Sequence, residues 1–205
     1  IKFKMNFSDF INVFEIAEDK ENKNLYKEVL TYYLENESKR SFQGHVSKLG
    51  KSVLDKESKN VRQIHLNPDD KIYKSVFNMA KKHVELYSSS VPLFPSGQCL
   101  IEEFSIKCYK KNEGLHKPHI DTGRGKTFTR LIACIWYLND VLEGGSTSFP
   151  HHSLSIPAKE NTLLMFPCNF FFPHQGEKPI SNDRYVMTYF VYAADANGKH
   201  LNENI

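Results

Sequence analysis

His119, Ile120 and Asp121 put an imidazole and a carboxylate two residues apart in a stretch that reads as extended chain. Alternate side chains of a strand project from one face, so the two groups enter the same space. His174, beyond an apolar run over residues 163–172, supplies a second imidazole if that run returns antiparallel to the first. Two histidines and one carboxylate on one side of a metal ion leave other coordination positions open, which suits non-haem Fe(II) and oxygen chemistry. His-x-Asp alone is a weak pattern, because most such pairs are ordinary surface residues. His45, His65, His83 and His200 have no carboxylate at useful spacing, and His151 and His152 face opposite ways on a strand, so none of the six is expected to be a ligand.

Arg184 follows His174 by ten residues and opens a strand in which it shares a face with Thr188, with Val186 between them. A planar guanidinium takes a carboxylate in two parallel hydrogen bonds, so an arginine projecting beside a metal suits a dicarboxylate co-substrate. A structural salt bridge at the start of a strand is the alternative reading.

Residues 100–109, 116–121, 129–138, 162–166 and 185–192 are short β-branched or aromatic runs separated by Gly, Pro, Asn and Asp, the pattern of an antiparallel sandwich or barrel. The first ninety residues differ. Leu25, Val29, Tyr32 and Tyr33, then Ile72, Val76, Ala80, Val84 and Tyr87, recur at helical spacing, the second set after the start signal Asn67-Pro68-Asp69. Between these two amphipathic helices, 38–60 is rich in Lys, Ser and Gly and reads as a long exposed loop, followed by a short strand near 61–66.

The 205 residues suit one domain toward the upper end of ordinary domain size, and 40% hydrophobic with 13% aromatic residues is enough to fill a core. With 27 basic against 24 acidic residues, charge gives no nucleic-acid footprint. Cys99, Cys108, Cys134 and Cys168 form no C-x-x-C pair and are read as reduced core residues. No run approaches the roughly 20 apolar residues of a membrane span, and no signal-peptide run opens the chain, so a cytoplasmic protein is expected; a trimmed targeting segment stays open because the chain begins at Ile1.

Over 100–193 the order of elements resembles the prolyl 4-hydroxylase type of Fe(II)- and 2-oxoglutarate-dependent oxygenase. It runs Tyr109, Gly114, Pro118-His119-Ile120-Asp121, Arg130, Cys134-Ile135-Trp136-Tyr137-Leu138-Asn139, Gly144-Gly145-Ser146-Thr147-Ser148-Phe149, Pro157, Leu164-Met165-Phe166, His174 and Arg184. The resemblance implies a mainly β fold, a double-stranded β-helix of jelly-roll or cupin-like type with the N-terminal α-helices against one sheet. It implies one oxygenase domain over 1–205: helical support and lid in 1–98, the catalytic core in 99–195 and a tail in 196–205. His119, Asp121 and His174 would be the catalytic iron ligands, Arg184 the anchor of the distal carboxylate of 2-oxoglutarate, and Tyr109, Tyr137 and Thr188 its hydroxyl partners. Arg130 and Trp136 are substrate-contact candidates. Fe(II), 2-oxoglutarate and O2, with ascorbate as reductant, are the implied cofactors, and a prolyl residue in a peptide or protein the implied substrate. A free amino acid, a small molecule or a nucleic-acid base is the alternative within the same chemistry, and a non-catalytic jelly-roll binding module the alternative outside it. His116 stands where these relatives carry tyrosine, so the wall of the site differs there. Ile120, Ile135, Leu164 and Phe166 are candidates for an apolar lining.

Overall fold

The computed structural model describes residues 7–16, 24–48, 51–91, 94, 99–195 and 197–200; the chain start and part of the predicted tail lie outside the described residues. In chain order the elements are β1 (Asn12–Glu15), α1 (Leu25–Arg40), β2 (Phe42–Gln43), β3 (Val46–Lys48), β4 (Lys51–Val53), β5 (Lys59–Asn60), β6 (Arg62–His65) and α2 (Tyr73–Ser90). They continue with β7 (Cys99–Tyr109), β8 (Leu115–His119), β9 (Arg130–Tyr137), β10 (Thr147–Phe149), β11 (Leu154–Ile156), β12 (Thr162–Pro167), β13 (His174–Gly176) and β14 (Arg184–Ala193).

A seven-stranded sheet runs β1-β12-β9-β14-β7-β6-β2 and a five-stranded sheet runs β11-β10-β13-β8-β5. All of their strand pairs are antiparallel. The two-residue alternation of the long strands divides the large sheet into two working faces. Phe104, Ile106, Trp136, Met187, Tyr189 and Val191 point to one side, into a core shared with the helices. Tyr109, Ala133, Tyr137, Leu164, Phe166 and Val186 point to the other, into a second core with residues of the smaller sheet such as Phe149. The Phe149 and Phe166 rings meet edge to face at 4.8 Å and tie the two sheets together.

The helices form because their apolar residues recur three or four positions apart and have a sheet face to cover. Leu25, Val29 and Tyr33 of α1, and Val76, Met79, Ala80 and Tyr87 of α2, are all buried. Each of the larger aliphatic side chains, Leu25, Val29, Val76 and Met79, contributes about 1.5–3 kcal/mol by leaving water. Tyr33 meets Tyr185 edge to face at 5.7 Å, and Tyr87 donates to the Phe10 carbonyl oxygen at 2.8 Å, so both helices are fixed to the chain they cover. Asp70 sets the approach to α2: it accepts the Asn67 N–H at 2.7 Å and the Arg40 guanidinium at 2.8 Å.

The segment 38–60 differs from the expected open loop. It holds the end of α1, β2, a β3–β4 hairpin and β5, with β2 and β5 joining opposite sheets. These strands are two or three residues long, too short for alternation to register. No disulfide joins the four cysteines; Cys108, Cys134 and Cys168 are buried core residues as expected, whereas Cys99 is half-buried. Among the described residues, no helix is long and apolar enough to cross a membrane.

Candidate metal centre and co-substrate pocket

His119 is the last residue of β8, and β13 pairs with it so that His174 lies directly opposite. The second histidine therefore comes from the strand after the apolar run; the run itself forms β12, which pairs with β1 and β9 in the large sheet. Asp121 sits two residues past His119, and its carboxylate lies 3.6 Å from His119 Nε2 and 3.4 Å from His174 Nε2. One ligand atom from each residue falls within 4.8 Å of the others, a set that could hold a metal ion.

The backbone fixes which nitrogen each histidine offers. His119 Nδ1 lies 2.8 Å from the Lys117 carbonyl oxygen and His174 Nδ1 3.3 Å from that of Phe172. A carbonyl can only accept, so each Nδ1 carries the proton and each Nε2 turns a lone pair toward Asp121. Burial pushes His174 down to about 4 despite the pull of Asp121, which keeps it in the neutral form that ligates metals. Burial works against ionisation of Asp121, yet the charges facing it, Arg130 among them, hold its carboxyl well below the usual carboxylate range. His116 stacks on His119 at 3.5 Å, and burial pushes its imidazole far below its ordinary value.

The triad opens into a cavity of about 490 Å³ between the sheets. Arg184, at the start of β14, is 2% exposed and lies on its wall. Its Nη1 donates to the carbonyl oxygens of Gly145 at 2.6 Å and Ser146 at 3.2 Å, and its guanidinium carbon stands 3.9 Å from the centre of the Tyr109 ring. Gly144 and Gly145 both have φ of +69°, a conformation that glycine adopts without a steric penalty, and this turn aims the Gly145 carbonyl at the arginine. Among the described residues Arg184 Nε has no hydrogen-bond partner, and neither has the Thr188 hydroxyl on the same face of β14. Two further buried polar atoms without partners, Gln63 Oε1 and Ser105 Oγ, belong to residues of the same cavity wall. Buried polar atoms are nearly always paired, so four orphans around one cavity mark a place built for a polar occupant. An arginine and a hydroxyl beside a two-histidine, one-carboxylate cluster fit a metal ion with a dicarboxylate.

Tyr109 lines the cavity, whereas the Tyr137 hydroxyl lies beneath it and donates to Thr147 Oγ1 at 2.8 Å. Arg130 also lines the cavity, but its guanidinium is already engaged: it donates to the Asp121 carbonyl oxygen at 3.0 Å and the Tyr192 hydroxyl at 2.9 Å, and pairs with Glu103. Glu103 reaches it from a bulge, where β7 spends two residues against the single Tyr189 of β14 and Glu103 takes φ of +63°. Trp136 is fully buried in the helix-side core and does not border the cavity, as strand alternation requires of the neighbour of Tyr137. Of the expected apolar lining, Ile135 reaches the cavity, Leu164 and Phe166 belong to the core beneath it, and Ile120 is 39% exposed and does not border it.

Sequence reasoning passed over Lys59, Gln63, Ser105, Lys107 and Gly176, all on the cavity wall. Ser105 and Lys107 were within reach of it, since they precede Tyr109 by four and two residues on one strand. Gly176 carried no such signal. A Cβ there would stand 2.7 Å from Arg184 Nη2 and 3.5 Å from the Tyr109 ring. The guanidinium is held by two carbonyls and cannot simply swing away. Gly176→Ala is therefore expected to displace it and raise the 2-oxoglutarate requirement roughly tenfold or more, while Mn(II) binding, read by electron paramagnetic resonance, stays unchanged.

Residues 104–192 match the model of the 2OG-Fe(II) oxygenase superfamily, a segment that contains His119, Asp121, His174 and Arg184. No curated protein sequence matches the chain. Among solved structures, a Trichoplax adhaerens prolyl hydroxylase, in complex with a hypoxia inducible factor oxygen degradation domain peptide fragment, superposes with a TM-score of 0.71 at 16% identity, over 90% of this chain and 84% of that one. A viral collagen prolyl hydroxylase of Paramecium Bursaria Chlorella virus-1, in its 2OG complex, gives 0.67 at 16% identity over 90% and 97%. A Pseudomonas putida prolyl-4-hydroxylase gives 0.65 at 13% identity over 90% and 93%. The common fold is the double-stranded β-helix, and the family takes Fe(II) and 2-oxoglutarate, for which the His-Asp-His cluster is suited. The chain thus shares the fold of solved prolyl hydroxylases, and its segment 104–192, somewhat under half of its length, resembles the 2OG-Fe(II) oxygenase superfamily.

Proposed function

We propose that the protein is a 2-oxoglutarate-dependent dioxygenase that hydroxylates a prolyl residue in a peptide or protein. The observation that carries the enzymatic part is the union, in one cavity, of the His119, Asp121 and His174 cluster with the unpartnered Arg184 Nε and Thr188 hydroxyl. On this reading the cluster holds Fe(II), and Arg184 with Thr188 receives the distal carboxylate of 2-oxoglutarate. Tyr109 stacks under the guanidinium and Tyr137 braces Thr147 beneath the pocket. The bound iron and co-substrate, with O2, supply oxidative decarboxylation to succinate and CO2 coupled to insertion of one oxygen atom into a C–H bond, with ascorbate keeping the metal reduced.

The chain's own residues orient and exclude. The carbonyls of Lys117 and Phe172 keep both Nε2 atoms unprotonated and aimed at one point. The Gly145 and Ser146 carbonyls hold the arginine in place before the co-substrate arrives, so less ordering is left to occur on binding. The core beneath the cavity, with Leu164, Phe166 and Val186, excludes water from that side. The 38–60 segment brings His45 and Lys59 to the cavity, which supports its reading as a lid over a substrate in one oxygenase domain.

The prolyl substrate is supported by the order of motifs from Tyr109 to Arg184 and by the prolyl hydroxylases among the structural neighbours. Its test is mass spectrometry of a peptide panel incubated with the protein, Fe(II), 2-oxoglutarate and ascorbate, each peptide paired with a version carrying alanine for proline. Gain of one oxygen atom on proline, absent from the alanine partner, is expected. Oxidation of alanine partners or of free amino acids alone would replace the prolyl reading with another substrate.

A further inference from the structure

Two cations on the cavity wall have no ion-pair partner among the described residues, although Asp121 attracts both from a distance and Glu103 attracts Lys107. Lys107 lies on β7 between Ser105 and Tyr109 on the cavity face, opposite Val186 of β14 and Gln63 of β6. Lys59 lies on β5 in the other sheet, opposite His116, so the two lysines approach the cavity from different layers. Among the described residues neither ammonium has a carboxylate within ion-pair distance; Lys59 Nζ donates to the His45 carbonyl oxygen at 3.3 Å, a contact that carries no charge.

The other charges of the cavity are matched. Arg130 pairs with Glu103. On the reading above, a divalent metal ion and Arg184 together offset the doubly negative co-substrate and Asp121. Lys59 and Lys107 are left over. An ammonium out of bulk water without a partner is costly, and the strain shows: burial, with repulsion from Lys59, pushes Lys107 down to about 7, and burial lowers Lys59 as well. The same wall carries the unpartnered Ser105 hydroxyl, two residues from Lys107 on the same face and 3% exposed. Two cations and a free hydroxyl around one space are the chemistry of an anion site.

We propose that Lys107 and Lys59, with Ser105, form a substrate subsite for a carboxylate close to the carbon that is oxidised. This rests on the dioxygenase reading and narrows its substrate: a proline beside an acidic residue or at a free chain terminus, in preference to a proline in a neutral context. The two carboxylate sources share one chemistry and are separated by the choice of peptide.

The test is calorimetric titration, without O2, of protein loaded with Mn(II) and 2-oxoglutarate. Three peptides are compared: Pro-Asp and Pro-Asn versions of one sequence blocked at both ends, and the same sequence blocked only at its N-terminus and ending at the proline as the free acid. Wild type is expected to bind at least one carboxylate peptide about tenfold or more tighter than the Pro-Asn peptide. Lys107→Met and Lys59→Met are each expected to shrink that preference, and Lys107→Arg to retain it, with circular dichroism confirming the fold of each. Tighter Pro-Asp assigns a side-chain carboxylate, and tighter free acid a chain terminus. Equal binding of all three peptides, or a preference that survives both methionine variants, would overturn the subsite. Weakened 2-oxoglutarate binding in Lys107→Met with the peptide preference intact would also overturn it, by giving the lysine to the co-substrate. A wild-type protein that takes up neither Mn(II) nor 2-oxoglutarate would overturn the dioxygenase reading instead, and the charge balance with it.

Discussion

Asp121→Ala is expected to reduce iron-dependent succinate formation to background while leaving the sheets folded. The carboxylate lies 3.4 and 3.6 Å from two imidazole nitrogens, and those nitrogens are fixed by backbone carbonyls, so nothing nearby can take its place. His116, the neighbouring imidazole, is stacked on His119. Removing a group that merely supports a metal ligand costs roughly 10–100-fold, and loss of the one anionic ligand proposed here should exceed that. The backbone has little reason to respond. Asp121 follows the end of β8 and contributes to the fold through its carbonyl oxygen, which accepts from Arg130 and survives the substitution. The unfolding midpoint should move by no more than about 2–4 °C. Loss of Mn(II) binding, followed by electron paramagnetic resonance, should accompany the loss of turnover; full turnover in this variant would sink the ligand assignment.

Arg184→Ala should act on the co-substrate and spare the metal. The arginine is almost wholly buried and aimed by the Gly145 and Ser146 carbonyls and the Tyr109 ring, with Nε left for a ligand. A hydrogen bond to a charged group contributes about 1.5–3 kcal/mol, so losing the guanidinium should raise the 2-oxoglutarate concentration for half-maximal succinate formation by about 10- to 150-fold. Stability falls too, by about 2–4 kcal/mol, because the truncation leaves a cavity and two unpaired carbonyls. Arg184→Lys separates the two effects: it retains charge and volume but not the planar fork, and should fall between wild type and alanine. An unchanged 2-oxoglutarate requirement in a folded alanine variant would remove Arg184 from the co-substrate site.

The residues that were legible in the sequence share a physical reason. β7, β9, β12 and β14 are long enough for two-residue alternation to show, and the same alternation, which puts Trp136 in the helix-side core opposite Tyr137, overturns its expected substrate contact. Leu25, Val29 and Tyr33, or Val76, Ala80 and Tyr87, span several turns of helix and declare themselves similarly. The three-residue strands β10, β11 and β13 offer no period. His174 could be selected by type, but its seat opposite His119 follows from pairing across 55 residues of sequence and was not visible in either strand alone. Glu103 illustrates a further limit: its bulge against Tyr189 turns it to neutralise Arg130, which changes what that arginine is free to do. Lys107 looked like an ordinary strand lysine until both sheets were in place around it.

The most direct test of the central claim is succinate formation from 2-oxoglutarate by the purified protein with Fe(II), ascorbate and O2, beside His174→Ala. Succinate that requires added Fe(II), and that is lost in the folded variant, is the expected result. A folded wild-type protein that makes none with or without proline-containing peptides, or a His174→Ala protein that makes as much as wild type, would contradict it.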